Sequence, residues 1–327
     1  MASLITNNDI LMFERQAWHN RGEVFGRLLQ YEDIALVELP EVVARPMYTY
    51  GADGETNLIV SERIALVDTT LNGGHVVGTA SPSYGIVQYE RVREAIEAFI
   101  ATGMIEGIAS FLTIGDRRRM ATSLKLKGEM EFKGYSKVHQ YINIGTSHDG
   151  TCGFVGANAI GVVVCANTMQ SNLLGLGKMF SVRHTTNGDA YVVDAIREVE
   201  AAMKLQVEIN AVIERMIDES YTQAQFNKLA DDVFQFGSGV KRPIPSITDE
   251  GRSRTIYDHF TSGLTSRYNG ADIAPIQHTK FGALMAIQGY EQHVAGGTKD
   301  KEARHLDRLY FGKQPLSEYA AKVLTAV

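Results

Sequence analysis

Residues 57–79 read NLIVSERIALVDTTLNGGHVVGT and predict a β-hairpin. Aliphatic and β-branched side chains dominate the run from Asn57 to Val67, which favours an extended strand. Asn72-Gly73-Gly74 follows, and glycine readily adopts the positive φ angles that a tight connection between strands requires. We therefore expect a second strand from His75 to Thr79, within a region of strands and turns that covers about residues 30 to 90.

A helix and further strands are predicted after this hairpin. From Glu90 to Ala101, apolar residues recur at helical spacing, and Gly103 ends the pattern. Between residues 108 and 166 the pattern returns to the alternation typical of strands. The polar members of that alternation are expected to share one exposed face; they are Lys125, Lys127, His139, Tyr141 and Asn143.

The remainder of the chain is predicted to be helical. An apolar stripe runs through residues 189–220 and consists of Ile196, Val199, Met203, Val207, Ile213 and Ile217. Such a stripe needs a partner, which is either the rest of the fold or a second subunit. The predicted fold is α+β: a mixed or antiparallel sheet packed with helices over about residues 30 to 185, then a long helix and a helical C-terminal part.

Composition shifts along the chain predict the domain organisation. Residues 1–29 form an N-terminal arm, and residues 30–236 form the α+β core with its long helix. Residues 237–254 concentrate glycine, proline, serine and charge, which is typical of a linker or flexible loop. Residues 255–327 form the helical C-terminal region.

Charge and composition limit the classes of function. The net charge of −6 argues against a protein that coats nucleic acid with its whole surface, so any DNA site must be a local basic face. We expect a cytoplasmic protein with no membrane contact, because neither a secretory signal nor a run of 18 apolar residues is found. Cys152 and Cys165 belong to no CxxC pair, so a disulfide framework or a structural zinc site would need ligands that the spacing does not show. We expect no metal and no cofactor.

Several short motifs together resemble a known family. They are Trp18-His19, Ser147-His148-Asp149-Gly150, residues 163–169 (VVCANTM), Arg183-His184-Thr185, and residues 279–284 (TKFGAL) with Tyr290 and His293. The chain is similar in these motifs to the phage and plasmid family that carries domain of unknown function 932. The resemblance implies a mobile-element setting and a distant, fold-level similarity to single-strand annealing recombinases. It supplies no catalytic residue.

The strongest local charge signal predicts a nucleic-acid-binding face. Basic residues outnumber acidic ones between positions 116 and 137; they are Arg117, Arg118, Arg119, Lys125, Lys127, Lys133 and Lys137. Such a strand face can follow a phosphate backbone, while His139 and Tyr141 offer rings on which bases stack. The alternative interpretation is an ordinary solvated strand face, since lysines are common there.

Other chemistry in the sequence is less specific. Asp116, Glu131 and Lys133 imitate the arrangement of an Mg²⁺-dependent nuclease, in which two carboxylates hold the metal. Ser147-His148-Asp149-Gly150 is interpreted as a turn built on Asp149-Gly150, because neighbouring side chains of a strand point to opposite faces. A metal role for His148, Asp149 and His184 would require the fold to unite them.

These patterns and the resemblance predict a phage or plasmid accessory protein that binds or anneals single-stranded DNA as a homo-oligomer, without catalytic turnover. The alternatives are the nuclease and a non-enzymatic protein that binds a host or defence factor.

Overall fold

The computed structural model describes ten segments of the chain. They are residues 10–15, 22–54, 57–128, 138–162, 168–170, 180–184, 208–238, 276–289, 291 and 315–326. Trp18-His19, Glu131, Lys133, Lys137 and the first part of the predicted long helix lie outside the described residues.

The described strands all lie before residue 183, and four of the six described helices lie after residue 207. The strands are β1 (Leu11–Phe13), β2 (Glu23–Val24), β3 (Val42–Tyr50), β4 (Asn57–Asp68), β5 (His75–Ala80), β6 (Ile105–Ile114), β7 (Arg119–Leu126), β8 (Val138–Ser147), β9 (Phe154–Val162), β10 (Thr168–Gln170) and β11 (Phe180–Val182). The helices are α1 (Tyr31–Ala35), α2 (Tyr89–Ala101), α3 (residues 208–218), α4 (Gln223–Ser238), α5 (Lys280–Gly289) and α6 (Pro315–Thr325). The α+β prediction is confirmed.

Two sheets organise the strands. The larger sheet has eight strands in the order β10-β9-β8-β7-β6-β1-β2, and β11 also pairs with β9. It is mixed, because β1 pairs with β2 in parallel and with β6 in antiparallel orientation. The smaller sheet is antiparallel and has the order β3-β4-β5.

The predicted hairpin is the β4–β5 pair. Gly73 and Gly74 in its turn have φ angles of +83° and +74°, which is the left-handed region that glycine adopts without steric cost. Leu66 of β4 and Val77 of β5 are buried in one apolar cluster of the small sheet. The hairpin prediction is therefore confirmed.

The predicted helix is α2, which packs on β6 of the larger sheet. Its spacing places Val92, Ile96 and Phe99 on one buried face. Gly103 follows with a φ angle of +74°, as expected for a residue just beyond a helix end. This part of the sequence prediction is also confirmed.

The chain divides into two compact units. The first comprises residues 1–126, 143–156 and 179–200, and the second comprises residues 127–142, 157–178 and 201–327. The predicted core of residues 30–236 contributes to both units. The domain boundaries drawn from composition stay a prediction.

The second unit contains helices α3 to α6. The side chains of α5 from Phe281 to Gln288 are buried on every side, apart from Gly282, which has no side chain. A Cβ at Gly282 would lie 2.2 Å from the carbonyl oxygen of Ile276, so only glycine fits this approach. Helix α6 packs against both α4 and α5.

The described end of the predicted apolar stripe lies in α3. Ile213 is fully buried there, together with the neighbouring Ile209, while Ile217 is half-buried. This end of the stripe is thus covered by the protein's own residues, which favours the intramolecular alternative for it. Ile196, Val199, Met203 and Val207 lie outside the described residues. Within the part of the chain that the structure describes, no helix is long and apolar enough to cross a membrane.

Candidate nucleic-acid interface

The predicted exposed face of β7 and β8 is largely buried. Lys125 is only 8% exposed, and its Nζ atom lies 3.1 Å from the carboxylate of Glu106 on the neighbouring strand β6. Tyr141 is also 8% exposed, and Asn143 is 4% exposed. The prediction that these side chains face solvent is wrong, because β7 and β8 are interior strands whose two faces are both covered.

Arg117 is a buried structural residue of the β6–β7 turn. Its Nη1 atom donates to Thr70 Oγ1 at 3.0 Å and lies 3.4 Å from Asp68 Oδ2, and its Nη2 atom donates to the Glu38 carbonyl at 3.0 Å. Asp68 is fully buried and Arg117 is 5% exposed, so each compensates a charge that would otherwise be costly to bury. The backbone of Arg117 has a φ angle of +62°, which is unusual for a residue with a side chain. These contacts stabilise the turn in that conformation. They also engage the guanidinium group of Arg117, which the sequence predicts to bind phosphate, within the protein itself.

The remaining predicted residues separate into three groups. Arg118 and Lys127 are exposed. Arg119 is half-buried, and its Nε atom donates to Asp149 Oδ2 at 3.1 Å. His139 is half-buried and meets the ring of Tyr141 edge-on, with 6.4 Å between ring centroids. Lys133 and Lys137 lie outside the described residues.

Ser147-His148-Asp149-Gly150 forms the predicted turn after β8. Asp149 Oδ1 accepts from the backbone nitrogen of Thr151 at 2.9 Å, and Gly150 has a φ angle of +76°. Ser147 Oγ accepts from the Cys152 nitrogen at 3.0 Å and donates to the Cys152 carbonyl at 2.8 Å, which closes the loop. The turn interpretation is therefore confirmed.

The buried side chain of His148 attaches this turn to helix α2 and the loop before it. Its ring stacks on Tyr89 of α2, with 3.9 Å between centroids and 5° between planes, and it is fully buried. Its Nε2 atom lies 2.9 Å from the Val87 carbonyl, which can only accept, so Nε2 carries the hydrogen. Burial lowers the pKa of His148 to about 4, while the Val87 hydrogen bond acts in the opposite direction. The ring is thus neutral at physiological pH and serves as a rigid support.

His184 makes a second, parallel attachment. Its ring stacks on Tyr84, with 5.0 Å between centroids, and its Nδ1 atom lies 3.2 Å from the Gly85 carbonyl. Its Nε2 atom is 3.3 Å from Thr146 Oγ1, near the end of β8. Burial is also the main reason why the pKa of His184 is lowered. The two histidines therefore fasten the end of β8 to the loop between β5 and α2.

Two exposed arginines adjoin this support, one through a backbone hydrogen bond and one as a neighbour in the chain. The backbone nitrogen of His148 donates to the Arg118 carbonyl at 2.7 Å, and Arg183 directly precedes His184. The side chains of Arg118 and Arg183 are both exposed. We call these two residues the arginine patch. Sequence reasoning proposed Arg118 but missed Arg183, whose signal was its position in a family motif beside His184.

The small sheet lies directly against the turn. A Cβ on Gly78 of β5 would come within 2.6 Å of the Asp149 Cα atom, so the two backbones touch and only glycine fits. The end of β4 also reaches this region, because Asp68 pairs with Arg117 of the adjacent turn. Strand β4 therefore connects the arginine patch with the far end of the small sheet.

That far end carries exposed aromatic side chains. Strand β5 pairs only with β4 from Ile64 to Asp68, so the β3–β4 pair continues beyond it as a two-stranded arm, which we define as residues 47–54 and 57–63. Tyr48 is 59% exposed, Tyr50 is 74% exposed, and Ile59, opposite Tyr48, is 66% exposed. Sequence reasoning missed this surface, although the alternation Tyr48-Thr49-Tyr50 within a strand was a visible signal.

The nuclease alternative receives no structural test. Asp116 lies in the β6–β7 turn with a φ angle of +57°, and Glu131 and Lys133 lie outside the described residues. Among the residues that the structure describes, no group of three His, Cys, Asp or Glu side chains could hold a metal ion. His148, Asp149 and His184 are therefore not united as a metal site.

Comparison with known proteins gives one family match. Neither the curated proteins nor the solved structures contain a match to the chain. The family model described as Domain of unknown function (DUF932) matches residues 76–310, which is well over half of the sequence. The match includes both histidine anchors and the arginine patch, whereas the arm precedes it. The chain therefore belongs to the family of Domain of unknown function (DUF932).

Proposed function

We propose that this protein binds and anneals single-stranded DNA as a homo-oligomer, without catalytic turnover, in phage or plasmid recombination in the host cytoplasm. The observation that supports the proposal is the arginine patch, where Arg118 and Arg183 are exposed next to the two histidine anchors of β8. A protein with a net charge of −6 repels phosphate over most of its surface, so its phosphate contacts are expected in one local basic patch.

Rigidity matters to this proposal. Arginine side chains lose conformational freedom when they bind phosphate, so a fixed backbone reduces the entropy cost of each contact. The histidine–tyrosine stacks and the Ser147–Cys152 hydrogen bonds provide that fixed backbone. The guanidinium group also presents several donors to phosphate oxygens in a planar arrangement.

Salt dependence tests the proposal directly. Each phosphate neutralised on a single strand contributes about −0.7 to the slope of log affinity against log salt. The double variant Arg118→Ala/Arg183→Ala should weaken binding of a labelled 20-nucleotide strand for every sequence and flatten the slope by about 1.4. Fluorescence anisotropy between about 50 and 200 mM salt measures both quantities.

A matched control removes the same charge elsewhere. Lys228 and Lys322 are exposed on α4 and α6 of the second unit, so Lys228→Ala/Lys322→Ala changes the net charge equally. This variant should keep the wild-type slope. If both double variants flatten the slope alike, the effect is one of net charge, and the patch does not bind phosphate.

Two further outcomes would contradict the proposed function. A wild-type protein that fails to retain single-stranded DNA at about 50 mM salt would favour the alternative of a host or defence partner. Cleavage of DNA in Mg²⁺ or Mn²⁺ that Glu131→Gln abolishes would instead establish the nuclease.

A further inference from the structure

The exposed face of the β3–β4 arm has a geometry suited to flat aromatic ligands. Alternate residues of a strand lie on the same face, so Tyr48 and Tyr50 stand side by side, about 6.6 to 6.8 Å apart along the strand. That separation is twice the spacing of about 3.4 Å between stacked bases. One base can therefore enter between the two rings and stack on both. Ile59 extends the same face, because it lies directly opposite Tyr48.

The β3 edge of the small sheet is protected next to the arm, while the face of the arm is exposed. Strand β3 is an edge strand of the small sheet, and Pro46 interrupts it with a group that cannot donate a backbone hydrogen bond. A register shift between Pro46 and Tyr48 adds a second irregularity. Both features oppose the addition of another strand at this edge. A partner on the exposed face of Tyr48 and Tyr50 therefore needs no added strand beside Pro46.

The arm is continuous with the arginine patch. Strand β4 runs from the arm to Asp68, the ion-pair partner of Arg117, and Arg118 is the next residue in that turn. Between Tyr48 and Val42 the paired strand β3 covers about 20 Å at 3.3 Å per residue, because the extra residues of β4 lie in the register shift. A stacked single strand needs about six nucleotides to cover that distance at 3.4 Å each. A tetranucleotide is too short to reach from one to the other.

We propose that Tyr48 and Tyr50 form a clamp for one unstacked base of a single strand whose phosphates contact the arginine patch. This inference rests on the proposed function and adds a second, uncharged part to the site. The clamp takes any sequence, because every base has an aromatic face. It excludes intact duplex, whose bases are already stacked on each other.

The test uses the full-length protein and two oligonucleotides, of 20 and of four thymidines. Tyr48→Ala/Tyr50→Ala should weaken binding of the 20-mer about tenfold, at an unchanged salt slope, because stacking is mostly insensitive to salt. Binding of the tetranucleotide should be the same in both proteins. Tyr48→Phe/Tyr50→Phe keeps both rings and should retain the wild-type affinity. Since both tyrosines are exposed, circular dichroism should show unchanged melting for all variants.

Each failure points to a different part of the argument. If the wild type binds the 20-mer and the alanine variant binds it equally well, the clamp is wrong while the proposed function stands. If the wild type binds neither strand, the proposed function fails and the clamp falls with it. If the alanine variant also changes from oligomer to monomer by light scattering, the face is a contact between copies of the chain, which overturns the clamp.

Discussion

At the residue scale, His148 connects the stability of the turn to pH. The ring is buried against Tyr89, and its Nδ1 atom finds no hydrogen-bond partner among the described residues. Protonation would therefore place a charge in an apolar environment without compensation at that atom. The same burial that makes the turn rigid makes it sensitive to acid.

The expected pH dependence follows from the pKa of His148, which burial lowers to about 4 from about 6.5 in the unfolded chain. The unfolded state binds the proton more readily, so this contribution to stability is complete above about pH 6.5 and is lost as the pH falls toward 4. The loss is about 1.4 kcal/mol per pH unit within that window. Urea denaturation between about pH 7 and 4.5 measures the free energy of unfolding.

The control for this prediction is His148→Asn, which removes the titrating group. The variant should be less stable at pH 7 and should lose stability less steeply between pH 6.5 and 4.5. Equal slopes for the two proteins would mean that His148 does not titrate in this way. His184, whose pKa burial also lowers, adds to the wild-type slope in the same direction and remains present in both proteins.

At the element scale, the C-terminal helix α6 depends on a remote cap. Pro315 begins the helix and has no backbone hydrogen to satisfy, whereas the next two residues do. Glu291 accepts from the nitrogens of Leu316 and Ser317 at 3.1 and 2.8 Å, and from Ser317 Oγ at 2.6 Å. Its carboxylate also carries the negative charge that a helix N-terminus stabilises. Because Glu291 is only 3% exposed, water cannot replace it.

Glu291→Ala should therefore destabilise the protein by about 2 kcal/mol, since it leaves buried donors at the start of α6 without an acceptor. The free energy of unfolding in urea measures this loss. Glu318→Ala, which removes the same charge from a half-buried site in the first turn of the same helix, should cost less than about 1 kcal/mol. Comparable losses in the two variants would show that net charge near the helix, and not the buried cap, matters.

At the scale of the whole molecule, annealing requires many weak phosphate contacts on one assembly. In the proposed function, a single patch of two exposed arginines would give modest affinity, so several copies would be needed to hold one strand. The described end of the apolar stripe is buried within its own chain at Ile209 and Ile213. In the proposed oligomer, the contact between subunits is therefore expected to use other residues than these.

Light scattering should consequently report a mass well above the 36.0 kDa of one chain at micromolar concentration. Single-stranded DNA longer than one site should increase that mass, because neighbouring subunits share the strand. A mass of one chain that does not change with concentration, with or without DNA, would contradict the oligomer in the proposed function.

The local sequence determined those features that short-range physics controls. The β4–β5 hairpin followed from β-branched residues and the glycines at its turn, and α2 followed from apolar spacing that ends at Gly103. The turn at Asp149-Gly150 followed from the same kind of local preference. The α+β class was predictable because each element carries its own periodicity.

Tertiary structure alone decided which polar residues reach solvent and which distant residues meet. Alternation along β7 and β8 cannot reveal whether the second face is covered by another layer, so Lys125 and Tyr141 were assigned to the wrong environment. Arg117 and Arg118 are neighbours of equal charge, yet Arg117 forms an ion pair with the buried Asp68, whereas Arg118 is exposed to solvent. His148 and His184 meet the loop between β5 and α2 through contacts that span 61 and 99 residues. Such contacts depend on how the sheets and helices pack, which no local pattern encodes.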